Sequence, residues 1–194
     1  YLDSAILNTL ARLGWSKGEK EVFYIDDLVK DFSLSDVQKA GAIFDISKLD
    51  YLNIQHMAKL TLEDFIDNLK PHLKNLNIDI NLHPKAKQLI EVMRTSASTF
   101  SGVAKNLFCY FNEVSEFDEK AIQKFVIGSE NILSELKEEI ARLSVWDEPS
   151  IDSALTEYRE KNNLSVPKVN QPIRIALTGS TNSPSLGLTL SLFT

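Results

Sequence analysis

The stretch LIEVMRTSASTFSGVAKNLFCYF, residues 89–111, decides the fold class of this protein. Its apolar side chains recur every three or four residues, which places them on one face of an α-helix. They are Leu89, Ile90, Met93, Ala97, Phe100, Ala104, Leu107, Phe108 and Phe111. The pattern predicts one long core helix that begins after Pro84.

Residues 119–143 have the same helical period and predict a second long helix. Gly128 lies inside it, and a glycine in a helix interior costs only about 1 kcal/mol relative to alanine. A helix opened by Thr61 should be ended or bent by Pro71. Shorter helical patterns complete the chain at residues 3–13, 25–32 and 44–57 and after Pro149. The predicted fold class is therefore all-α.

The composition excludes several functional classes. The chain has 194 residues, 21 Lys and Arg against 27 Asp and Glu, and a net charge of −6, whereas indiscriminate nucleic-acid binding needs a dense basic surface. No apolar run approaches the roughly 20 residues that span a bilayer, and no signal-peptide pattern occurs, so we expect a cytoplasmic protein without membrane contact. A single cysteine, Cys109, and three scattered histidines predict neither an internal disulfide nor a metal site.

No catalytic group is predicted in the chain. The adjacent acids Asp26 and Asp27 point about 100° apart on a helix, and so do Glu138 and Glu139, so neither pair forms an acid–base dyad. The segment ALTGST, residues 176–181, resembles a phosphate loop only superficially, because no Gly-Lys-Ser/Thr follows it.

Two arginines are candidate binding residues. Arg94 lies one step off the centre of the 89–111 stripe, where its guanidinium reaches solvent at the border of the core. An ion pair with Glu91 explains an arginine at this position equally well. Arg174 lies in PIRIAL, where the alternation of Ile173 and Ile175 indicates an extended segment with the arginine as an ordinary surface charge.

Three stretches together resemble one family. They are YLDSAILNTLARLGWS at residues 1–16, GAIFDISKLDYLNIQHM at 41–57 and QPIRIALTGSTNSPSL at 171–186. In order and spacing they are similar to the C-terminal half of bacterial glutamyl-tRNA synthetases, although Tyr51 stands in place of the usual Trp and Ile54 in place of a common Gly. The resemblance covers nearly the whole chain.

The resemblance implies three helical segments. Residues 1–58 correspond to the stem-contact segment, 59–117 to the first anticodon-binding subdomain and 118–194 to the second. No His-Ile-Gly-His-like or Lys-Met-Ser-Lys-like motif occurs, so we expect the nucleotide-binding catalytic domain, with its ATP and Mg²⁺, to be absent from this chain. The chain alone is then inactive and cofactor-free, and its expected role is that of a monomeric, tRNA-Glu-binding part of a glutamate–tRNA ligase.

The resemblance also implies the residues that contact the anticodon. Arg94 matches the arginine near the third anticodon base, where its donors suit the acceptors of cytosine and oppose the donors of guanine. Four residues of the last matching stretch are assigned to the other anticodon bases, and Leu186 among them is expected to be exposed at a loop apex. They are Arg174, Ser183, Pro184 and Leu186. Hydroxyls of residues 178–185 are expected to add base-edge bonds. Backbone contacts or a solvated helix face account equally well for the lysines Lys85, Lys87 and Lys105.

Two alternatives remain open. A helical protein-interaction module would use the same apolar loop to dock a protein and would bind no RNA. A non-discriminating synthetase would also charge the tRNA for glutamine. Titration with the glutamate tRNA and an anticodon-substituted version distinguishes the first alternative from an anticodon-binding protein. A base-specific anticodon-binding protein has different affinities for the two RNAs.

Overall fold

The computed structural model describes residues 1–39 and 41–193, and its regular structure is helical. The helices are α1 Asp3–Arg12, α2 Ile25–Asp31, α3 Ile46–Lys59, α4 Leu62–Asn75, α5 Ala86–Met93, α6 Phe100–Leu107, α7 Glu119–Ala121, α8 Glu130–Ala141, α9 Glu148–Lys161, α10 Val166–Thr178 and α11 Leu186–Leu192. In these two ranges strand-like pairing is limited to an isolated antiparallel bridge between Lys17 and Lys20. The predicted all-α class is confirmed. None of the described helices combines the length and apolar character needed to cross a membrane.

The long helix predicted over residues 89–111 is wrong, because the structure has two helices there. α5 ends at Met93 and α6 begins at Phe100. Between them the chain carries TSAST, and Ser and Thr side chains compete with the helical backbone for hydrogen bonds. The hydroxyl of Thr99 accepts a hydrogen bond from the backbone N–H of Gly102 at 3.2 Å, which caps the start of α6.

The second long helix, predicted over residues 119–143, is also wrong. A π turn over Ile122–Val126 follows α7, and a separate helix, α8, begins at Glu130. Gly128 lies between them with φ at 82°, in the left-handed region that glycine adopts without a steric penalty. The glycine ends one helical segment instead of being tolerated inside a longer one.

Pro71 does not terminate α4, which continues to Asn75. Thr61 caps the start of this helix as predicted, because its hydroxyl accepts from the backbone N–H of Asp64 at 3.1 Å. The helix buries Phe65, Leu69 and Leu73 at positions i, i+4 and i+8 of one face. Burial of three large side chains contributes roughly 5 kcal/mol or more, which offsets the approximately 3 kcal/mol that a proline costs inside a helix.

The chain forms two compact units. The first contains Tyr1–Asn77 and Ile90–Lys105, and the second contains Ile78–Leu89 and residues 106–193. The boundaries of these units differ from those of the three predicted segments. The predicted segments are defined by function and not by compactness, so the three-segment division stays a prediction.

The first unit has a partly polar interior. Trp15, Phe23 and Leu28 form an apolar cluster, but α1 buries Asn8 and Thr9. Three apolar residues on one side of α1, Ile6, Leu7 and Leu10, are 37%, 40% and 51% exposed. The buried amide decides this orientation, since the Asn8 side chain bonds the backbone at Glu21 and Phe23.

The second unit has an apolar core built from α8, α9, α10 and α11. The side chains of this cluster are less than a tenth exposed. They are Leu136, Ile140, Ile151, Leu155, Tyr158, Val169, Ile173, Leu186 and Leu190. This core fixes α10 beside α11 and therefore positions the segment that joins them.

Candidate functional site

Arg174 lies on helix α10, not on an extended segment as the sequence pattern indicated. A proline in the first turn of α10 and Gly179 after its last residue are a common start and stop for a helix. Gly179 has φ at 73°, and its backbone N–H donates to the carbonyl of Ile175 at 2.8 Å. Ile173 and Ile175 are both buried, so their alternation also fits the broad buried face of a helix.

The guanidinium of Arg174 holds the segment that follows α10, residues 179–185, which we call the 179–185 loop. Its Nη1 donates to the carbonyl oxygens of Ser183 and Pro184, each at 2.7 Å. The same Nη1 contacts the hydroxyl of Ser183. The structure therefore brings together three of the predicted site residues, and both loop residues are half-buried.

The charge of Arg174 is not balanced by an ion pair with any residue in ranges 1–39 and 41–193. Its Nε is buried and has no hydrogen-bond acceptor there. Burial lowers the pKa of Arg174 from its ordinary value, because a charge is costly in a poorly solvated place. A half-buried cation without an ion pair favours an electronegative ligand, such as a base acceptor or a phosphate oxygen.

Most hydroxyls near the loop already have partners. Thr178 donates to the carbonyl of Arg174 at 2.8 Å, and the hydroxyls of Ser183 and Thr189 are 3.1 Å apart. Ser185 donates to the carboxylate of Glu148 at 2.6 Å. The predicted base-edge bonds from these hydroxyls stay a prediction, and each would have to compete with a bond inside the unit.

Leu186 is buried, and the expectation of an exposed loop apex is wrong. It is 2% exposed and belongs to the apolar core with Ile151, Leu155 and Leu190. Ser185 caps α11 by accepting from the backbone N–H of Leu188 at 3.3 Å, so Leu186 is already the first residue of that helix. Its side chain stabilises the core. The predicted contact of Leu186 with an anticodon base is untested and requires the side chain to leave this core.

Arg94 lies in the first unit, immediately after α5. Its Nη1 donates to both carboxylate oxygens of Glu91, at 3.1 and 3.2 Å. Its Nη2 contacts the carbonyls at the end of α3, including that of Leu60, and the guanidinium lies 5.2 Å from the centre of the Phe65 ring. The side chain of Arg94 is 13% exposed.

These contacts give Arg94 a structural role. The last carbonyls of a helix have no partner within the helix, and a cation placed there satisfies them and stabilises the helix dipole. Nη1 and Nη2 of Arg94 are therefore engaged within the first unit in this structure. The predicted contact with the third anticodon base is untested.

The three candidate lysines differ in their contacts and exposure. Lys85 donates to the carbonyl of Ser191 at 2.7 Å, whereas Lys87 and Lys105 are exposed and fit a solvated helix face.

Burial raises the pKa of Cys109 to about 11, which makes its thiol unreactive at neutral pH. In the described part of the chain no three His, Cys, Asp or Glu side chains are arranged to hold a metal ion.

Glu148 is a residue that sequence reasoning missed. It lies 37 positions before Ser185, and no spacing or motif connects the two. Only the packing of α9 against α11 shows the contact.

The chain is similar to known anticodon-binding and glutamate–tRNA ligase proteins. A family model described as "Anticodon binding domain" matches residues 64–193. Glutamate--tRNA ligase 2 of Halorhodospira halophila is 34% identical over 193 residues, covering 99% of this chain and 41% of that protein. Glutamate--tRNA ligase of Francisella tularensis subsp. novicida is 32% identical over 196 residues, covering 99% and 42%. The chain thus spans about two fifths of the length of these curated relatives.

Solved structures give the same result. A crystal structure of a glutamate tRNA ligase from Elizabethkingia meningosepticum in complex with its amino acid superposes with a TM-score of 0.83 at 28% identity, covering 100% of this chain and 39% of that one. The glutamate-tRNA synthetase of Elizabethkingia anophelis gives a TM-score of 0.80 at 28% identity, with coverage of 100% and 38%.

Proposed function

Since the chain belongs to the anticodon-binding domain family, we propose that it binds the anticodon arm of the tRNA for glutamate, as the tRNA-binding part of a glutamate–tRNA ligase. Support comes from the glutamate–tRNA ligases that match it over 99% of its length. The joining of glutamate to tRNA is then the activity of the longer protein. ATP and Mg²⁺ are assigned to sequence outside these 194 residues.

Arg174 is the observation that carries this proposal. Single-stranded RNA bases are recognised by a few placed donors and by stacking, so a protein with a net charge of −6 can bind them through one well-placed cation. Arg174 is half-buried, has no ion pair within the described chain, and is fixed against Ser183 and Pro184. A guanidinium held in this way loses little conformational freedom when it bonds a base.

The test compares the binding of two anticodon stem-loops at one fixed salt concentration. One has the glutamate anticodon and the other a substituted anticodon, and the proteins are the wild type, Arg174→Gln and Arg142→Gln. Arg142 is a matched control, because its side chain is 76% exposed and, among the described residues, its ion pair is with Glu138 at the surface. Both variants remove one positive charge.

We expect Arg174→Gln to weaken binding of the matched stem-loop by about tenfold and to reduce the preference for it, since a base-specific arginine contact is worth roughly 1–3 kcal/mol. Arg142→Gln should change neither. Wild-type protein that binds both stem-loops equally, or binds neither, contradicts the proposal and favours a protein-interaction module.

Two finer points belong to the same proposal. The chain is taken to be a monomer, which sedimentation in the presence and absence of the stem-loop would check. It is also taken to work in the cytoplasm, in line with the absence of a membrane-spanning helix among its described residues; fractionation of cells that produce the longer protein would check this.

A further inference from the structure

The 179–185 loop is fixed at both of its ends. At its start, the carbonyl of Gly179 accepts from the backbone N–H of Asp118 at 3.1 Å, and a Cβ on Gly179 would lie 2.5 Å from the carbonyl oxygen of Glu116. At its end, the hydroxyl of Ser185 donates to Glu148 of α9 at 2.6 Å. The loop is therefore held between two other parts of the second unit.

A second acidic residue of α9 lies against the start of α11. Asp152 follows Glu148 by four positions, so the two carboxylates lie on the same face of the helix. A Cβ built on Gly187 would lie 2.3 Å from Oδ1 of Asp152, and its three nearest atoms all belong to that carboxylate. Glycine at position 187 allows this close approach, and α11 starts against the acidic face of α9.

These contacts lead to Arg174 through the backbone. Ser185 is bonded to α9, and its neighbours Pro184 and Ser183 provide the carbonyls that hold the Arg174 guanidinium. Displacement of Ser185 would move both carbonyls. Because hydrogen bonds depend steeply on distance and angle, a small displacement would release Nη1 of Arg174.

We propose that Glu148 and Asp152 are positioning residues, which fix the 179–185 loop and thereby the direction of the Arg174 guanidinium. The effect on RNA selectivity rests on the proposed function, whereas the effect on the loop itself does not. Neither carboxylate contacts the RNA in this mechanism. Both act through α11 and the loop.

The experiment uses the 194-residue chain with substitutions at both contacts. Glu148→Ala removes the acceptor of the Ser185 hydroxyl, whereas Glu148→Gln retains an acceptor oxygen and serves as the rescue. Glu157→Ala is the control, since Glu157 lies on the same helix and accepts from Ser153 at 3.3 Å within α9. For the second contact, Asp152→Ala removes the carboxylate that lies against Gly187.

Two quantities are measured: amide hydrogen exchange of residues 179–188, and the ratio of affinities for the matched and substituted anticodon stem-loops. Glu148→Ala should speed exchange in this segment and lower the ratio about three- to tenfold, the value of one lost hydrogen bond. Glu148→Gln should restore most of both, and Glu157→Ala should change neither. Asp152→Ala should behave like Glu148→Ala.

Unchanged exchange in Glu148→Ala and Asp152→Ala overturns the inference, because the loop is then not held by α9. Faster exchange with an unchanged affinity ratio also overturns it, since the contacts would be structural only. A wild type that binds no stem-loop contradicts the proposed function, and the exchange data alone then decide whether α9 positions the loop.

Discussion

Arg94 and Glu91 are joined by two hydrogen bonds, of 3.1 and 3.2 Å, from one guanidinium nitrogen to both carboxylate oxygens. The other terminal nitrogen of Arg94 lies against the last carbonyls of α3. We expect Arg94→Gln to lower the free energy of unfolding by about 2 kcal/mol, because charge-assisted bonds to a helix end are lost together with the contact to Phe65. Urea denaturation followed by circular dichroism measures this.

Glu91→Gln is the matched control. The Glu91 side chain is 54% exposed, so its ion pair with Arg94 is largely screened by solvent and is worth less than about 0.5 kcal/mol. Equal losses in the two variants would show that the ion pair, not the contact with α3, is the main contribution of Arg94.

The predicted contact between Arg94 and the third anticodon base is tested by measuring affinities for two anticodon stem-loops. Glutamate and glutamine anticodons differ there by cytosine against guanine, and an arginine presents donors only. We expect the wild type to prefer the glutamate stem-loop by about 1–3 kcal/mol and Arg94→Gln to reduce that preference. Glu91→Gln should keep it, because Arg94 stays in place. Equal wild-type affinity for the two stem-loops would leave Arg94 with its role at the end of α3 and would favour a non-discriminating ligase.

Leu186→Ala should destabilise the protein instead of weakening RNA contacts directly. Leu186 is 2% exposed, and removal of a buried leucine side chain costs about 2–5 kcal/mol. For a chain of this size the Tm should fall by roughly 5–15 °C. Leu82→Ala is the control in the same unit, because Leu82 is 82% exposed and its truncation should leave the Tm nearly unchanged. A Tm within two or three degrees of wild type for Leu186→Ala would contradict its place in the core.

Stability should fall as the pH falls from 6.5 toward 5. His56 is 2% exposed, and its Nε2 lies 3.1 Å from Oδ1 of Asn8, while burial lowers the pKa of the imidazole below its ordinary 6.5. Burial also lowers the pKa of His83. Between 6.5 and the lower folded values the unfolded chain binds more protons, so protonation favours unfolding, by at most about 1.4 kcal/mol per pH unit for each histidine.

The measurement is urea denaturation at several pH values between 7.5 and 5. His56→Gln should show a smaller decrease than the wild type over this range, since one of the two groups is gone. Stability that stays constant or rises as the pH falls through this range would show that the two histidines can be protonated in the folded protein.

Local sequence patterns were sufficient for the helical class and for several helix ends. Thr61 caps α4, and Pro149 lies in the first turn of α9, because a cap or a fixed φ acts within one turn of the chain. Patterns failed where two local preferences competed. TSAST and Gly128 interrupt apolar stripes that are continuous in sequence, and Ile173 and Ile175 alternate within a helix.

The candidate site was predictable in its residue types and not in its contacts. Arg174, Ser183 and Pro184 lie within ten residues of one another in the sequence, and one turn suffices to bring them together. The burial of Leu186, the contact of Arg94 with α3 and the bond between Glu148 and Ser185 depend on tertiary packing. Arg94 and Leu60 are 34 positions apart in the chain, and Glu148 and Ser185 are 37 apart. The geometry of such contacts depends on how whole apolar faces pack, which no local spacing specifies.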